Sequence, residues 1–481
     1  MKKINFDKKF AIIILILLVI MTFATKFNGN TDVKDYSNVA KFFSGDLNSK
    51  IRSSHSYLYG FIHSPFVGLF ENFLIFKITS LASIFLIIIS VYLISNKNKK
   101  ALWLILASPI SWYMAPWISP IQIATLFFLW SYNFIKKFDK ENKLKQLFLS
   151  GFLAGISWAF WDGILFFIPL LYISFMYDKK LSKLIFLLMA ILVGLIPRLI
   201  LDHFLFGFSL FGIIRHISAS LTLTFLGGFY GQESLVGIWK FLLVLIYLPL
   251  FTYLIINKKD SKNRKKSTIF IILSIILLII NSQVRFVFLL FPIIILQIYD
   301  RLNNKQYFVQ LLFFLIISLI TINPYLIQIT NDTNANSLDA VFFNLENLYI
   351  SSEFKSDILK EDLKKIGLEY TGEIFLVGNK PDTYADLAEL YWGSRIKELV
   401  SIQDYNLKEN PIISPKEICT NTRINSRRDI CNLIYIRKSF NDKTDYNSIK
   451  YAISEEENLN LEGFELIKKY KLLFIFEKIS N

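Results

Sequence analysis

The sequence predicts a polytopic α-helical membrane protein of about eleven spans, followed by a small α/β domain. Three observations carry that prediction. Apolar runs long enough to cross a bilayer recur through the first two thirds of a 481-residue chain that is 53% hydrophobic and only 19% charged. The formal net charge of +15 is spread over short connections between those runs, which is the positive-inside pattern of a membrane protein and argues against a nucleic-acid partner. Beyond residue 330 the apolar runs stop, and short helical and strand patterns alternate.

The basic N-terminus "MKKINFDKK" leads into Phe10 to Thr25, which no small-residue cleavage site follows. It reads as a retained first helix and not as a removed signal. Spans are expected at 10–26, 73–95, 101–115, 118–135, 146–160, 162–177, 183–203, 236–256, 267–281, 285–299 and 308–328. With the N-terminus inside, the inner connections "NKNKK", "KKFDKENKLKQ", "DKKLSK", "NKKDSKNRKK" and "DRLNNK" all carry Lys or Arg. The outer connections "APWIS", "WDG" and "NSQVR", with the longer 27–72 and 204–235, are poor in them for their length. A transmembrane domain is therefore expected over 1–329, with 27–72 as its first outer loop. An odd number of spans puts residues 330–481 outside the cell membrane and the N-terminus in the cytoplasm.

Within that outer segment, 353–366 has the pattern of an amphipathic helix. "EIFLVGN" reads as a buried strand, "TYADLAELYWGS" as a helix, and "KELVSI", "NLIYIRK" and "YKLLFIFEK" as further strands. The outcome is a small α/β sandwich, Rossmann-like in outline. No Gly-x-Gly-x-x-Gly follows a strand, so nothing there points to a nucleotide. Cys419 and Cys431 are the only cysteines. In an outside domain they either pair or stand as two thiols, and the sequence favours neither.

Polar residues gather on the predicted outer face. The first outer loop supplies Asp32, Asp35, Tyr36, Arg52, His55, Tyr57, Tyr59 and His63. The later connections add Asp162, Arg198, Asp202, His203, Arg215, His216, Glu233 and Arg285. Ionisable groups at the membrane are costly and mark functional sites. Each also has a plainer reading. Asp32 is either a base or an acid favouring the start of an interfacial helix, on which Tyr36, Ala40 and Phe43 would share its face. Asp35 points elsewhere, as a solvated acid would. Asp162 is either functional or a cap on the helix after it. Arg285 is either a ligand or a headgroup-level anchor. Trp112, Trp117, Trp158 and Trp161 fit an aromatic belt.

The order of these motifs resembles the GT-C integral-membrane glycosyltransferases, a superfamily that includes protein O-mannosyltransferases and aminoarabinose transferases. Their first outer loop opens on an Asp, with Tyr four residues on and Ala four later, as Asp32, Tyr36 and Ala40 stand in "DVKDYSNVA". Val33 replaces the acid that often follows the first Asp. "HSPF" from His63 resembles a later His-Pro motif, "LSGFLAGISWAFWDGILFFIPLLY" a glycine-bearing helix, polar break and proline helix, and "RFVFLLFPIIIL" an arginine-led helix. Many relatives have Lys where Trp161 and Asp162 stand, and "APWISPIQ" lacks the acid that relatives often carry between their third and fourth helices.

The resemblance implies transfer of a sugar from a polyprenyl-phosphate donor to an acceptor hydroxyl of a glycan, lipid or protein at the outer face. Asp32 would take the acceptor proton, with Asp162 as the second candidate acid. Arg285 and Arg215 would hold the phosphate, with Tyr36 and His63 also lining the site. No cofactor is fixed by the resemblance; a divalent metal stays open, and Asp32 with Asp35 alone is a poor set of ligands for one. Other readings are a transporter or flippase, a ligase or polymerase of lipid-linked glycans, and a non-catalytic relative. A transporter predicts mid-helix charges and inverted halves, and the sequence offers neither.

Overall fold

The computed structural model describes residues 8–24, 33–45, 56–68, 74–206, 208–210, 212–214, 262–280, 284–321, 362–363, 365–370, 374–378, 396–401, 450–454, 457 and 463–479. Within them the apolar runs form helices α1 (Lys8–Ala24), α4 (Leu74–Ile94), α5 (Lys99–Ala107), α6 (Pro109–Met114), α7 (Ile121–Glu141), α8 (Leu144–Phe160), α9 (Phe167–Met176), α10 (Leu181–Phe206), α11 (Lys262–Ile280), α12 (Val284–Ile298) and α13 (Asn304–Thr321). Two shorter helices lie in the first long connection, α2 (Val33–Phe43) and α3 (Leu58–His63). The expected span at 236–256 lies outside the described residues.

Ten of the eleven expected spans fall on described helices, and one of the ten is broken. The run at 101–115 forms α5 and α6, parted at Ser108, because Pro109 drives the residue before it out of the helical region to φ −70° and ψ 127°. The break frees carbonyls, and the indole of Trp112 donates to one of them, Leu106 O, at 2.7 Å. Pro197 and Pro292 sit inside α10 and α12 without ending them. Among the described residues α4 and the Leu181–Leu205 stretch are long and apolar enough to cross a membrane unaided.

Polar groups of the described connections are tied together at each end of the bundle. At one end Lys266, at the start of α11, donates to Asp139 of α7 at 2.8 Å and to Asp178 after α9 at 2.9 Å. Lys100 of α5 donates to Leu302 O, between α12 and α13, at 2.7 Å. At the other end Ser80 of α4 donates to Trp117 O at 2.8 Å, and Gln122 donates to the same carbonyl at 2.7 Å and to Met114 O at 2.9 Å. Each end is thus tied by polar groups that close over an apolar middle, and every buried carbonyl so engaged avoids a desolvation cost.

Strands β1 (Ile374–Gly378), β2 (Ile396–Ser401), β3 (Tyr451–Ser454), β4 (Phe464–Lys469) and β5 (Phe474–Lys478) form one sheet in the order β2-β1-β3-β5-β4. Strand β1 runs parallel to β2 and β3, while β5 runs antiparallel to β3 and β4. Three strands were expected from sequence at β1, β2 and β5, whereas β3 and β4 were not. The expected strand "NLIYIRK", the helix "TYADLAELYWGS" and both cysteines lie outside the described residues.

Candidate active site

The end of the bundle that carries the α8–α9 turn holds two groups of buried polar side chains. The first is built on one face of α10, where Ala190, Gly194, Arg198 and Asp202 recur every four residues. The small members bring the backbones of α8 and α10 together. A Cβ on Gly194 would stand 2.1 Å from Phe152 O, and one on Gly155 would stand 2.1 Å from Ile191 O. One turn beyond Gly194 the same face delivers Arg198 to the end of α8.

There the guanidinium forks the carboxylate of Asp162, the first residue of a 3-10 turn that joins α8 to α9. Arg198 Nη2 donates to Asp162 Oδ2 at 3.2 Å and Nη1 donates to the other oxygen. Nη1 also reaches Trp158 O at 3.4 Å. Asp202 lies across the guanidinium, its Oδ2 3.9 Å from Nε, and it accepts the N–H of Gly212 at 3.0 Å. Arg198 is 1% exposed, Asp202 0% and Asp162 5%, so two carboxylates share one cation away from water. Such a group holds together only with its charges paired.

The first long connection is fastened to the same place. Helix α3 lies against α8 and α10. The Ser56 hydroxyl donates to Ala159 O, and Tyr57 stands within electrostatic reach of Arg198.

The second group is aromatic. Tyr36 of α2 meets the Tyr59 ring edge-on at 5.1 Å, Tyr59 meets His63 at 4.6 Å, and His63 stacks on Phe76 of α4 at 4.3 Å. His63 Nδ1 donates to Tyr59 O at 2.6 Å, since a carbonyl can only accept. Its Nε2 lies 2.8 Å from Thr79 Oγ1. Burial pushes the imidazole down to about 4, against a smaller upward pull from the Tyr59 carbonyl. Gly60 lets α3 approach α2, where a Cβ would stand 2.5 Å from the Val39 side chain.

Arg285, half-buried, lies in the first turn of α12. The ring of its neighbour Phe286 packs on Trp161 at 5.5 Å, Phe167 at 5.2 Å and Phe166 at 6.4 Å. Trp161 and Phe167 flank the turn that Asp162 begins, and Phe166 ends it.

Of the six residues expected from sequence, Asp162 and Arg285 converge on the α8–α9 turn, and Tyr36 and His63 converge on Tyr59. Asp32 and Arg215 lie outside the described residues. The Asp162 carboxylate is engaged by Arg198. Both ring nitrogens of His63 are engaged within the protein. Arg198, Asp202 and Tyr59 were visible only as polar residues of the outer face, with no role assigned. The signal that singles out the first two is their four-residue spacing from Gly194 in an otherwise apolar helix. Among the described residues no three His, Cys, Asp or Glu side chains come together as a metal site would need.

The chain superposes on ArnT from Cupriavidus metallidurans bound to undecaprenyl phosphate with a TM-score of 0.61 at 12% identity, covering 98% of this chain and 98% of that one. It superposes on ArnT from the same organism in the apo state with a TM-score of 0.52 at 11% identity, covering 97% of each chain. No curated protein sequence matches it. The fold is thus that of the GT-C integral-membrane glycosyltransferases, multi-pass proteins of the cell membrane. Residues 11–342 match the EpsG family, which is most of the chain, and the protein belongs to that family.

Proposed function

We propose that the protein moves a sugar from a polyprenyl-phosphate-linked donor to an acceptor hydroxyl at the outer face of the membrane. Membership of the EpsG family and the ArnT-like fold support an enzyme that transfers or polymerises lipid-linked glycans. The observation that carries the finer reading is convergence. The first long connection, the α8–α9 turn, the end of α10 and the start of α12 are tied together at one end of the bundle. That end bears the acids and arginines that such a reaction needs.

In this reading Asp32 is the base that takes the acceptor proton, as its place before α2 allows. Arg285, with Arg215, neutralises the departing phosphate, which gains charge as the glycosidic bond breaks. Asp162 serves the reaction through its ion pair and not as the base. Tyr36 and His63 hold the first connection against α4. The polyprenyl tail lies along the apolar helices, and residues 330–481 form a domain on the same outer side, with the N-terminus in the cytoplasm.

A carrier that moves its cargo through the bilayer would place charges at the midplane. Among the described residues the buried ions of the bundle gather toward its two ends instead: Asp139 and Lys266 toward one, Lys77, Asp162, Asp202 and, two turns inside α10, Arg198 toward the other.

The test is transfer by lipid-reconstituted protein offered a panel of labelled polyprenyl-linked sugars with total membrane acceptors. Wild type is expected to transfer one sugar, and Asp32→Asn to lose most of that rate while staying folded. Full activity in Asp32→Asn would remove the base assignment. Movement of intact donor across the bilayer without transfer would remove the enzyme reading.

A further inference from the structure

We infer that Arg198 is the positioning residue of this site, and that it sets where α12 presents Arg285 to the donor phosphate. The inference rests on the reading of Arg285 as a phosphate ligand and adds how that ligand is placed. Arg198 ties α10 to the α8–α9 turn and, through Asp202, to Gly212 beyond the end of α10. Its Nη atoms hold the Asp162 carboxylate at the head of the α8–α9 turn and reach Trp158 O at the end of α8. Its Nε faces Asp202, whose Oδ2 accepts the Gly212 N–H three residues before Arg215. The first long connection reaches the same place, where Ser56 donates to Ala159 O next to the turn.

The link to α12 runs through rings. Trp161 precedes Asp162 and meets Phe286 at 5.5 Å, and Phe167, just past the turn, meets it at 5.2 Å. Phe286 is 4% exposed and adjacent in sequence to Arg285, so a shift of the turn moves the first turn of α12 with it. Close packing leaves no slack to absorb such a shift. A plain interhelical anchor needs one charge pair. This one also fixes the turn's orientation, because a guanidinium fork defines the plane of the carboxylate it grips. Lysine keeps the charge and loses the fork.

The experiment measures the affinity of full-length protein in nanodiscs for undecaprenyl phosphate. Arg198→Lys, Arg285→Ala and their double variant are compared with wild type, with melting temperature recorded for each. Wild type is expected to bind, and each single change to weaken binding by about tenfold or more, the size of one lost hydrogen bond to a charged group. The double variant is expected to bind within about twofold of Arg285→Ala, because the two residues act through one contact. Where Arg198→Lys does not fold, Asp162→Asn breaks the fork from the other side and enters the same cycle. Wild-type affinity in the variant with a broken fork, or losses that multiply in the double, would overturn the positioning role and leave the transferase reading standing. Failure of wild type to bind undecaprenyl phosphate would overturn the donor reading and this inference with it.

Discussion

Arg198 and Asp162 meet across two helices, the guanidinium from α10 and the carboxylate from the turn after α8, with side chains 1% and 6% exposed. Neither charge has water to fall back on. Removing Arg198 leaves Asp162 and Asp202 buried without a cation, and removing Asp162 leaves the guanidinium facing only Asp202 at 3.9 Å; breaking a buried pair in this way costs about 3–5 kcal/mol, far more than a surface pair. Arg198→Ala and Asp162→Asn should each lower the melting temperature of detergent-purified protein sharply. Neutralising the whole cluster at once, Arg198→Met with Asp162→Leu and Asp202→Asn, should recover much of that loss, because no charge is then left buried without a partner. If either single change melts as wild type does, the pair contributes nothing to stability.

The close approach of α8 and α10 makes a second expectation. A methyl at Gly155 or Gly194 would sit 2.1 Å from a carbonyl oxygen of the facing helix, and backbone cannot step aside as a side chain can. Gly155→Ala and Gly194→Ala should each destabilise by about 1–3 kcal/mol, the usual range for overpacking. Gly151→Ala, whose new methyl would meet the Ala190 side chain at 2.8 Å and Leu187 O at 2.9 Å, should cost less. Melting temperatures of the three variants give the order directly. A Gly151→Ala loss larger than the other two would contradict the crossing described.

At the opposite end Lys266 is 1% exposed and bonded to two carboxylates, Asp139 and Asp178. Taking the cation away leaves the two acids with only Lys179, 3.4 Å from Asp139 and 4.0 Å from Asp178. Lys266→Met should destabilise by about 3 kcal/mol or more, and Asp139→Asn in the same chain should relieve part of it. The partial rescue separates charge repulsion from simple loss of packing. Equal melting temperatures for the single and double variants would argue for packing.

Much of the transmembrane part was legible because its signal is long and one-dimensional: an apolar run bounded by lysines needs no partner to be recognised. Helices α1, α4, α8 and α12 begin and end within two residues of the spans expected. The break at Ser108 was missed because Pro109 lies inside an apolar run, where length outweighs one residue. Strands β3 and β5 are buried side by side, yet only β5 was expected, since "YAIS" is too short to show a period. Strand β4 is an exposed edge with charged residues on it, so its pattern resembles a loop. In the candidate site, Asp162 and Arg285 were legible as polar residues at apolar boundaries. That Asp162 belongs to Arg198 was not, because the pairing follows from a glycine-mediated helix crossing thirty-six residues away in sequence.

His63 supplies the pH dependence. Its ring is stacked on Phe76, holds the Tyr59 carbonyl through Nδ1 and lies against the Thr79 hydroxyl through Nε2. Burial holds it neutral down to about pH 4, against 6.5 for a free histidine. Between those values the unfolded chain binds a proton that the folded chain does not. The stability that follows is fully present above pH 6.5 and is lost progressively as pH falls toward 4. Wild-type melting temperature should therefore drop from pH 7 to pH 5 more steeply than that of His63→Gln, which keeps a polar side chain and cannot titrate. The difference between the two slopes is the readout, because every other titrating group is common to both proteins. A proton on the ring would also bury a charge between Tyr59 and Phe76, so α3 should loosen from α4 in the same window. Proteolysis of the 27–72 connection should quicken with acid in wild type and stay level in His63→Gln. Parallel slopes and parallel cleavage in the two proteins would show that His63 does not couple this connection to pH.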